Sequence, residues 1–195
     1  MNLKEIRKGI NMQSVYVAHD RNGNTWIGDG AAYYVLDDWM EASAKNVLGL
    51  LDVPRDKWEN WNVIEKDVTE NALFDIVPDN DEEELTELGR YVSGGYDTVM
   101  LATAAGKIIM IRWWYLKPTV CKEGTSLTLS ERWDPETGEL KEAIVRVYRD
   151  MLCCAMIAPV DEAGAGGIRE TLKRVTWPGA AYAVGPRDGE ERAWV

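Results

Sequence analysis

Short apolar, β-branched segments alternate with turns of hairpin length along most of this sequence, and that alternation constrains the fold more than any other feature. Residues 14–18 and 24–27 flank an Asn22-Gly23 turn, a combination typical of a β-hairpin. Residues 31–36 resume the pattern after a Gly-Asp-Gly break. Because parallel strands need a long crossover between them, connections this short predict an antiparallel meander.

The second half of the chain repeats this alternation. Turn residues at 104–106 and 134–138 separate apolar segments, and Arg149-Asp150 is predicted to form another tight turn. The further strands predicted from these segments span residues 73–77, 98–102, 107–116, 126–130, 143–148 and 151–158.

Helices are predicted where a capping residue precedes apolar residues at helical spacing. Asp37 and Asp38 can cap the first helix, and Pro54 suits the first position of the second. An acidic run that opens at Asp79 favours a third helix, since carboxylates in a first turn interact well with the helix dipole. The predicted helices span residues 39–51, 54–61, 81–92 and 168–175.

These elements together predict an α+β fold. We expect a single domain over residues 1–185, built on a mostly antiparallel β-sheet with three or four packed helices, and a mobile tail at 186–195. A chain of 195 residues buries enough surface to fold without help from a metal ion or a disulfide.

The three cysteines indicate a reducing compartment. Cys153 and Cys154 are adjacent within a predicted strand, where neighbouring side chains face opposite ways, and Cys121 lies apart from them. Free thiols that pack as small apolar groups are therefore expected. The first residues are charged, and no stretch approaches the ~20 apolar residues of a membrane span. We expect a cytoplasmic protein with no membrane partner.

Motifs for metal, nucleotide and nucleophilic chemistry each fail at particular positions. His19 is the single histidine, so zinc sites with two or three histidines are excluded. The alternation from Asp79 resembles an EF-hand loop, but Glu84 stands where glycine is required and Arg90 where a bidentate carboxylate belongs. Glycines at 164–167 lack the Gly-Lys-Ser/Thr of a phosphate loop. No cofactor and no metal is predicted, and the question of an enzymatic activity stays open.

Acidity is concentrated in one stretch of the chain. The formal net charge is -11, and residues 67–89 contain nine carboxylates and no Lys or Arg. A solvated helix start is one interpretation, and an electronegative face for a partner protein with a basic surface is the other. Such a charge disfavours direct, non-specific binding of nucleic acid. The partner-binding residues predicted on this basis are Asp79, Asp81, Glu82, Glu83, Glu84 and Glu87.

Two short motifs resemble the modules of DNA sliding clamps. A Gly-Asp-Gly turn at 28–30 joins two strands, and Met-Ile-Ala-Pro-Val at 156–160 is similar to the apolar strand that ends a clamp. The resemblance covers a small part of the chain and implies a ring-forming module that encircles DNA. A clamp also needs a basic inner face, which the helices predicted at 38–61 and 81–92 do not supply.

The function predicted from these observations is that of a non-enzymatic binding or accessory protein of bacterial or phage type. It would act through an acidic surface rich in Trp and Tyr, since the chain holds nine Trp and eight Tyr against a single Phe. One alternative is a nucleic-acid-related module, either clamp-like or a DNA mimic that inhibits a basic nucleic-acid-binding protein. A second is a hydrolase or transferase that uses carboxylates such as Asp29 or Asp97. The sequence is also compatible with a homo-oligomer.

Overall fold

The chain forms a sheet-rich fold with few helices. The computed structural model describes residues 2–10, 13–37, 40–69, 74, 81–93, 96–119 and 124–160. The strands are β1 Ser14–His19, β2 Thr25–Gly28, β3 Ala32–Val35, β4 Asn62–Asp67, β5 Glu83–Ser93, β6 Tyr96–Thr103, β7 Ile108–Arg112, β8 Thr125–Trp133, β9 Leu140–Arg149 and β10 Leu152–Ile157. The α-helices are α1 Leu3–Gly9, α2 Val47–Leu50 and α3 Trp113–Leu116, and Arg55–Asn60 forms a 3₁₀ helix.

These strands form one sheet in the order β4-β1-β2-β3-β10-β9-β8-β5-β6-β7. The hairpins expected from the sequence are present: β1 pairs with β2, β8 with β9, and β9 with β10, all antiparallel. Among the described strands, the pairing of β1 with the edge strand β4 is the parallel exception. Between β1 and β4 the chain passes through β2, β3, α2 and the 3₁₀ helix, which is long enough for the crossover that a parallel pair requires.

The sheet curls back on itself. Five strand positions separate β10 from β7, which would place them about 24 Å apart in a flat sheet. Val160 lies three residues beyond the end of β10, yet its N–H donates to the Met110 carbonyl of β7 at 2.7 Å. A second contact joins β3 to α3, where the Tyr34 hydroxyl donates to the Tyr115 carbonyl at 2.7 Å. These two contacts indicate a strongly curved sheet, because a flat sheet would hold the residues too far apart.

The main core fills the inside of this curve. Val17 of β1, Leu101 of β6 and Ile111 of β7 are fully buried in one cluster, although their strands lie far apart in the strand order. Ile6 of α1 and Val47 of α2 enter the same cluster, so the helices cover its open side. The other face of the sheet carries smaller apolar clusters, one around Trp26, Phe74, Tyr148, Cys153 and Met156 and one around Met100 and Met110.

Asp20 closes the turn between β1 and β2 from a buried position. Its carboxylate accepts the indole N–H of Trp26 at 3.0 Å and the backbone N–H groups of Asn22 and Asn24 at 2.8 and 2.9 Å. Burial alone would raise the pKa of this carboxyl, but the hydrogen bonds outweigh burial and hold the pKa below its ordinary value. One carboxylate therefore joins the turn to the largest buried side chain of β2.

The helix predicted over residues 81–92 is wrong, because residues 83–93 form strand β5. Leu85 and Leu88 are three apart, a spacing that fits one face of a helix. In the strand their side chains lie on opposite faces. Leu85 packs in the main core, and Leu88 packs beside Met100 and Met110. A register shift between Glu87 and Gly89 accompanies this change.

Other boundaries differ from the sequence predictions. The strand predicted over 107–116 ends at Arg112 and continues as α3, and of the helix predicted over 39–51 the structure shows only α2. The helix predicted from Pro54 is a 3₁₀ helix, while α1 and β4 were not predicted. The helix at 168–175, most of the strand at 73–77 and the tail at 186–195 lie outside the described residues.

Asp20→Asn should lower the free energy of unfolding at pH 7 by about 2–3 kcal/mol, because an amide cannot accept hydrogen bonds at both of its polar atoms. The folded-state pKa of Asp20 is lowered, so the stabilisation is complete above the unfolded value of about 3.9 and is lost as the pH falls through the folded value. Urea unfolding between pH 7 and pH 2.5 should show the gap between wild type and variant narrowing. Asp56→Asn in the exposed 3₁₀ helix serves as the control, and an equal effect from it would contradict this role.

Candidate functional site

The acidic residues that were predicted to bind a partner do not share one face of the protein. Asp79 lies outside the described residues, whereas Asp81, Glu83, Glu84 and Glu87 are exposed on or beside β5. Successive side chains of a strand face opposite ways, so Glu83 and Glu84 belong to different faces. The continuous acidic helix face expected from the sequence is therefore absent from β5.

Glu82 is a structural residue rather than part of an exposed surface. Its side chain is 3% exposed and accepts hydrogen bonds from the hydroxyls of Tyr148 at 2.8 Å and Thr128 at 2.5 Å. The guanidinium of Arg146, whose side chain is 4% exposed, lies 3.4 Å away. Burial and the hydrogen bond to Glu82 both raise the pKa of Tyr148, which stays a neutral donor. Glu82 is therefore a buried residue of the sheet, and its part in partner binding stays a prediction.

The Glu82 contacts lie where the two parts of the sheet meet. β5 pairs with β8 at only two positions, Glu83 with Leu129 and Glu84 with Thr128, before it turns to pair with β6. The ion pair and its hydrogen bonds add side-chain contacts from the start of β5 to β8 and β9 at this narrow junction.

An exposed apolar pair lies at the far end of the β8–β9 hairpin. Trp133 and Leu140 are cross-strand partners and remain 52% and 42% exposed. Lys107 lies with its ammonium 5.8 Å from the Trp133 ring and forms an ion pair with Glu131. The turn that connects the two strands carries three carboxylates: Asp134, Glu136 and Glu139.

The start of β5 points towards this hairpin end. Because β5 and β8 run antiparallel, Asp81 lies towards the end of β8 that carries Glu131 and Trp133. Glu83 shares its face with Leu129 and Glu131, by strand alternation. We call this set the acidic-aromatic surface; its residues are Asp81, Glu83, Glu131, Trp133, Asp134, Glu136, Glu139 and Leu140. The hairpin part of this surface was not predicted, although a Trp directly before an Asp-Pro-Glu-Thr-Gly turn was a usable signal.

The two carboxylates considered for catalysis are held by the fold. Asp29 accepts the backbone N–H groups of Ala31 and Ala32 at 3.0 and 3.1 Å and the Tyr115 hydroxyl at 2.7 Å. Asp97 forms an ion pair with Arg90. Asp29 therefore stabilises a turn, and Asp97 forms a contact between two paired strands.

The remaining reactive groups of the described residues lie apart from one another. His19 ends β1 with its Nε2 atom 3.4 Å from a Glu65 carboxylate oxygen. Cys153 and Cys154 are unpaired, with Cys153 buried, and burial raises the pKa of the Cys153 thiol to about 12. Within the described residues, no group of three or more His, Cys, Asp or Glu side chains is placed to hold a metal ion.

Two clefts lie on either side of residues 158–160. The first, of about 630 Å³, is lined by Tyr33, Lys66, Phe74, Glu142 and Met156 among others, and the second, of about 580 Å³, by Lys8, Arg112, Trp114 and Tyr115 among others. Ala31 and residues 158–160 contribute to both. Among the described lining residues, Glu142 of the first cleft is the one carboxylate, so neither cleft gathers the several carboxylates that the hydrolase alternative requires.

Replacing Glu82 should reveal its structural role. Glu82→Gln removes the carboxylate charge beside the buried Arg146 guanidinium, and we expect a loss of about 3–5 kcal/mol in the free energy of unfolding. Glu84→Gln, two residues along at an exposed position, should change it by less than about 0.5 kcal/mol. Urea unfolding measures both, and hydrogen exchange should show loss of protection in β6 first. Similar stability of the two variants would contradict the assignment.

The comparisons with known proteins return no relative. No protein-family model matches the chain, and no curated protein and no solved structure is significantly similar to it. Across the described part of the chain, none of the helices has both the length and the apolar character needed to span a bilayer.

Proposed function

We propose that the protein is a non-enzymatic binding or accessory protein that docks on a basic surface of another protein through the acidic-aromatic surface. The exposed Trp133–Leu140 pair among carboxylates carries the proposal. The proposal keeps the acidic partner surface expected from the sequence, but moves its centre from β5 to the end of the β8–β9 hairpin.

The apolar pair supplies the binding free energy in this proposal. Tryptophan buried at the centre of an interface is among the side chains that contribute most to affinity, whereas exposed ion pairs contribute little. Trp133 and Leu140 are held side by side on paired strands, so little conformational entropy is lost when a partner covers them.

The surrounding carboxylates select the partner. Asp81, Glu83, Glu136 and Glu139 are exposed and outnumber the exposed Arg132 beside Trp133, which favours a negative potential at this end of the sheet. Such a field accelerates the approach of a basic surface and penalises an acidic one. Lys107 and Glu131 already neutralise each other beside Trp133, which leaves the outer carboxylates to meet the partner's cations.

A DNA mimic remains compatible with this geometry as a special case, because a protein that binds nucleic acid presents the basic surface required. The clamp-like alternative loses the helix predicted at 81–92, which is strand β5. We also propose that the protein is a single domain that works in the cytoplasm of a bacterium or of a phage-infected cell. Its unpaired Cys153 and Cys154 fit a reducing compartment.

Capture experiments on the native host lysate test the proposal. The full-length protein should retain a protein of high isoelectric point, identified by mass spectrometry, in a salt-dependent manner. Trp133→Ala should reduce this capture about tenfold or more, and the Asp81→Asn/Glu83→Gln pair should reduce it several-fold.

A matched control removes the same number of charges elsewhere. Asp56→Asn/Glu59→Gln acts in the exposed 3₁₀ helix and should leave capture unchanged. Release of the captured protein by duplex DNA would identify the DNA-mimic case. Capture that Trp133→Ala leaves intact, or that the control reduces equally, would overturn the proposed surface.

A further inference from the structure

The second cleft is a different kind of site from the acidic-aromatic surface. It lies between the end of α1, the junction of β7 with α3, and residues 158–160, and its volume of about 580 Å³ is that of a small-molecule pocket. Gly9 forms part of its wall: a Cβ atom there would lie 3.3 Å from the Trp114 carbonyl oxygen, so the bare backbone packs directly against Trp114.

The charged groups of this cleft are cationic. Lys8 and Arg112 both line it, and none of the described lining residues carries a carboxylate. Glu5 lies nearby and forms ion pairs with Lys8 at 2.7 Å and with Lys117 at 2.8 Å. Lys8 and Lys117 therefore share one carboxylate, and Arg112 adds a further positive charge to the cleft, in a chain whose net charge is -11. A cationic pocket in an otherwise acidic protein attracts anions locally while the rest of the surface repels them.

The apolar groups of the cleft favour a flat ring. The Arg112 guanidinium lies over the Trp114 ring, 4.9 Å from its centroid, which fixes this cation beside an aromatic wall. Trp114 also meets Tyr115 edge-on, with ring centroids 5.9 Å apart. Ile10 and Pro159 complete the apolar lining. A guanidinium held on an aromatic face keeps its N–H donors in its own plane, where they match a carboxylate or phosphate.

We propose that this cleft binds a small organic anion that carries a flat apolar ring. The anionic group contacts Arg112 and Lys8, and the ring packs against Trp114 and Pro159. The shared chemistry is a carboxylate, sulfonate or phosphate attached to an aromatic system. This inference does not depend on the protein partner proposed above, since the two sites have no residue in common.

Two probes with the same ring but different charge separate the contribution of the anionic group from that of the ring. Calorimetric titration of the full-length protein with 2-naphthoate should give a dissociation constant of about 1 mM or lower, which is reasonable for a ligand of this size. The neutral 2-naphthamide should bind at least about fivefold more weakly, and added salt should weaken only the naphthoate. No binding of naphthoate up to about 10 mM, or equal binding of the two probes, would overturn the proposal.

Variants locate the probe in this cleft. Arg112→Gln and Lys8→Met should each weaken naphthoate binding by at least about fivefold, and Arg112→Lys should lose less than Arg112→Gln. The matched control is Arg55→Gln, which removes a cation 6.0 Å from the Trp58 ring elsewhere on the protein. Lys66→Met tests the first cleft in the same way. If either control weakens binding as much as Lys8→Met does, the assignment to this cleft is wrong.

Folding must be separated from binding, because Arg112 also packs on Trp114. Near-ultraviolet circular dichroism and urea unfolding of each variant provide that check. Ala158→Phe adds bulk at an exposed lining position without removing a charge, and it should reduce binding of both probes to a similar extent. If that folded variant binds naphthoate like the wild type, the ring does not occupy this cleft.

Discussion

Continuity of the sheet depends on the short junction between β5 and β8. Seven strands lie on one side of this junction and three on the other, but only two residue pairs join β5 to β8. Glu82 reinforces the junction from the start of β5 through its contacts with Thr128, Arg146 and Tyr148 on β8 and β9. A buried ion pair contributes little net stability compared with apolar packing, yet removing one member is costly. Because another register of β5 would separate Glu82 from Arg146, the pair favours the observed one.

The pairing of β5 with β8 also positions the residues of both proposed sites. The register of β5 against β8 directs Asp81 and Glu83 towards the hairpin end with Trp133. The same junction starts the β5–β6–β7 unit, and the curvature of that unit brings β7 back to Val160. Because the Val160 contact brings residues 158–160 against β7, the second cleft exists only in the curled sheet.

The hairpins could be predicted from the sequence because a hairpin is specified by its turn residues and the two strands beside them. Asn22-Gly23 supplies a turn that accepts a positive φ, and the observed pairing of Val17 with Ile27 follows directly. β5 could not be predicted in this way. Its acidic start and the spacing of Leu85 and Leu88 satisfy a helix equally well, and only partners distant in sequence, such as Met100 and Leu129, select the strand. The edge strand β4 also depends on a distant partner, β1.

The candidate sites show the same division between local and distant information. Acidic composition predicted a negative surface, but composition cannot tell that Glu82 is buried against Arg146, 64 residues along the chain, while Glu83 is exposed. Nor does it predict that Lys8 and Arg112 share a cleft, since they meet only through the contact of α1 with α3. Side chains that meet across the fold, rather than along the chain, form both sites.

Opposite charges can coexist on this protein because β7 separates them. Lys107, beside Trp133 and Glu131, immediately precedes β7, and Arg112 in the second cleft ends it. Five strand residues span about 17 Å, roughly twice the distance over which physiological salt screens exposed charges. The negative potential that would attract a basic partner is therefore largely screened at the cleft, and the cations of the cleft are screened at the hairpin. The two proposed sites can consequently bind ligands of opposite charge at the same time and without competition.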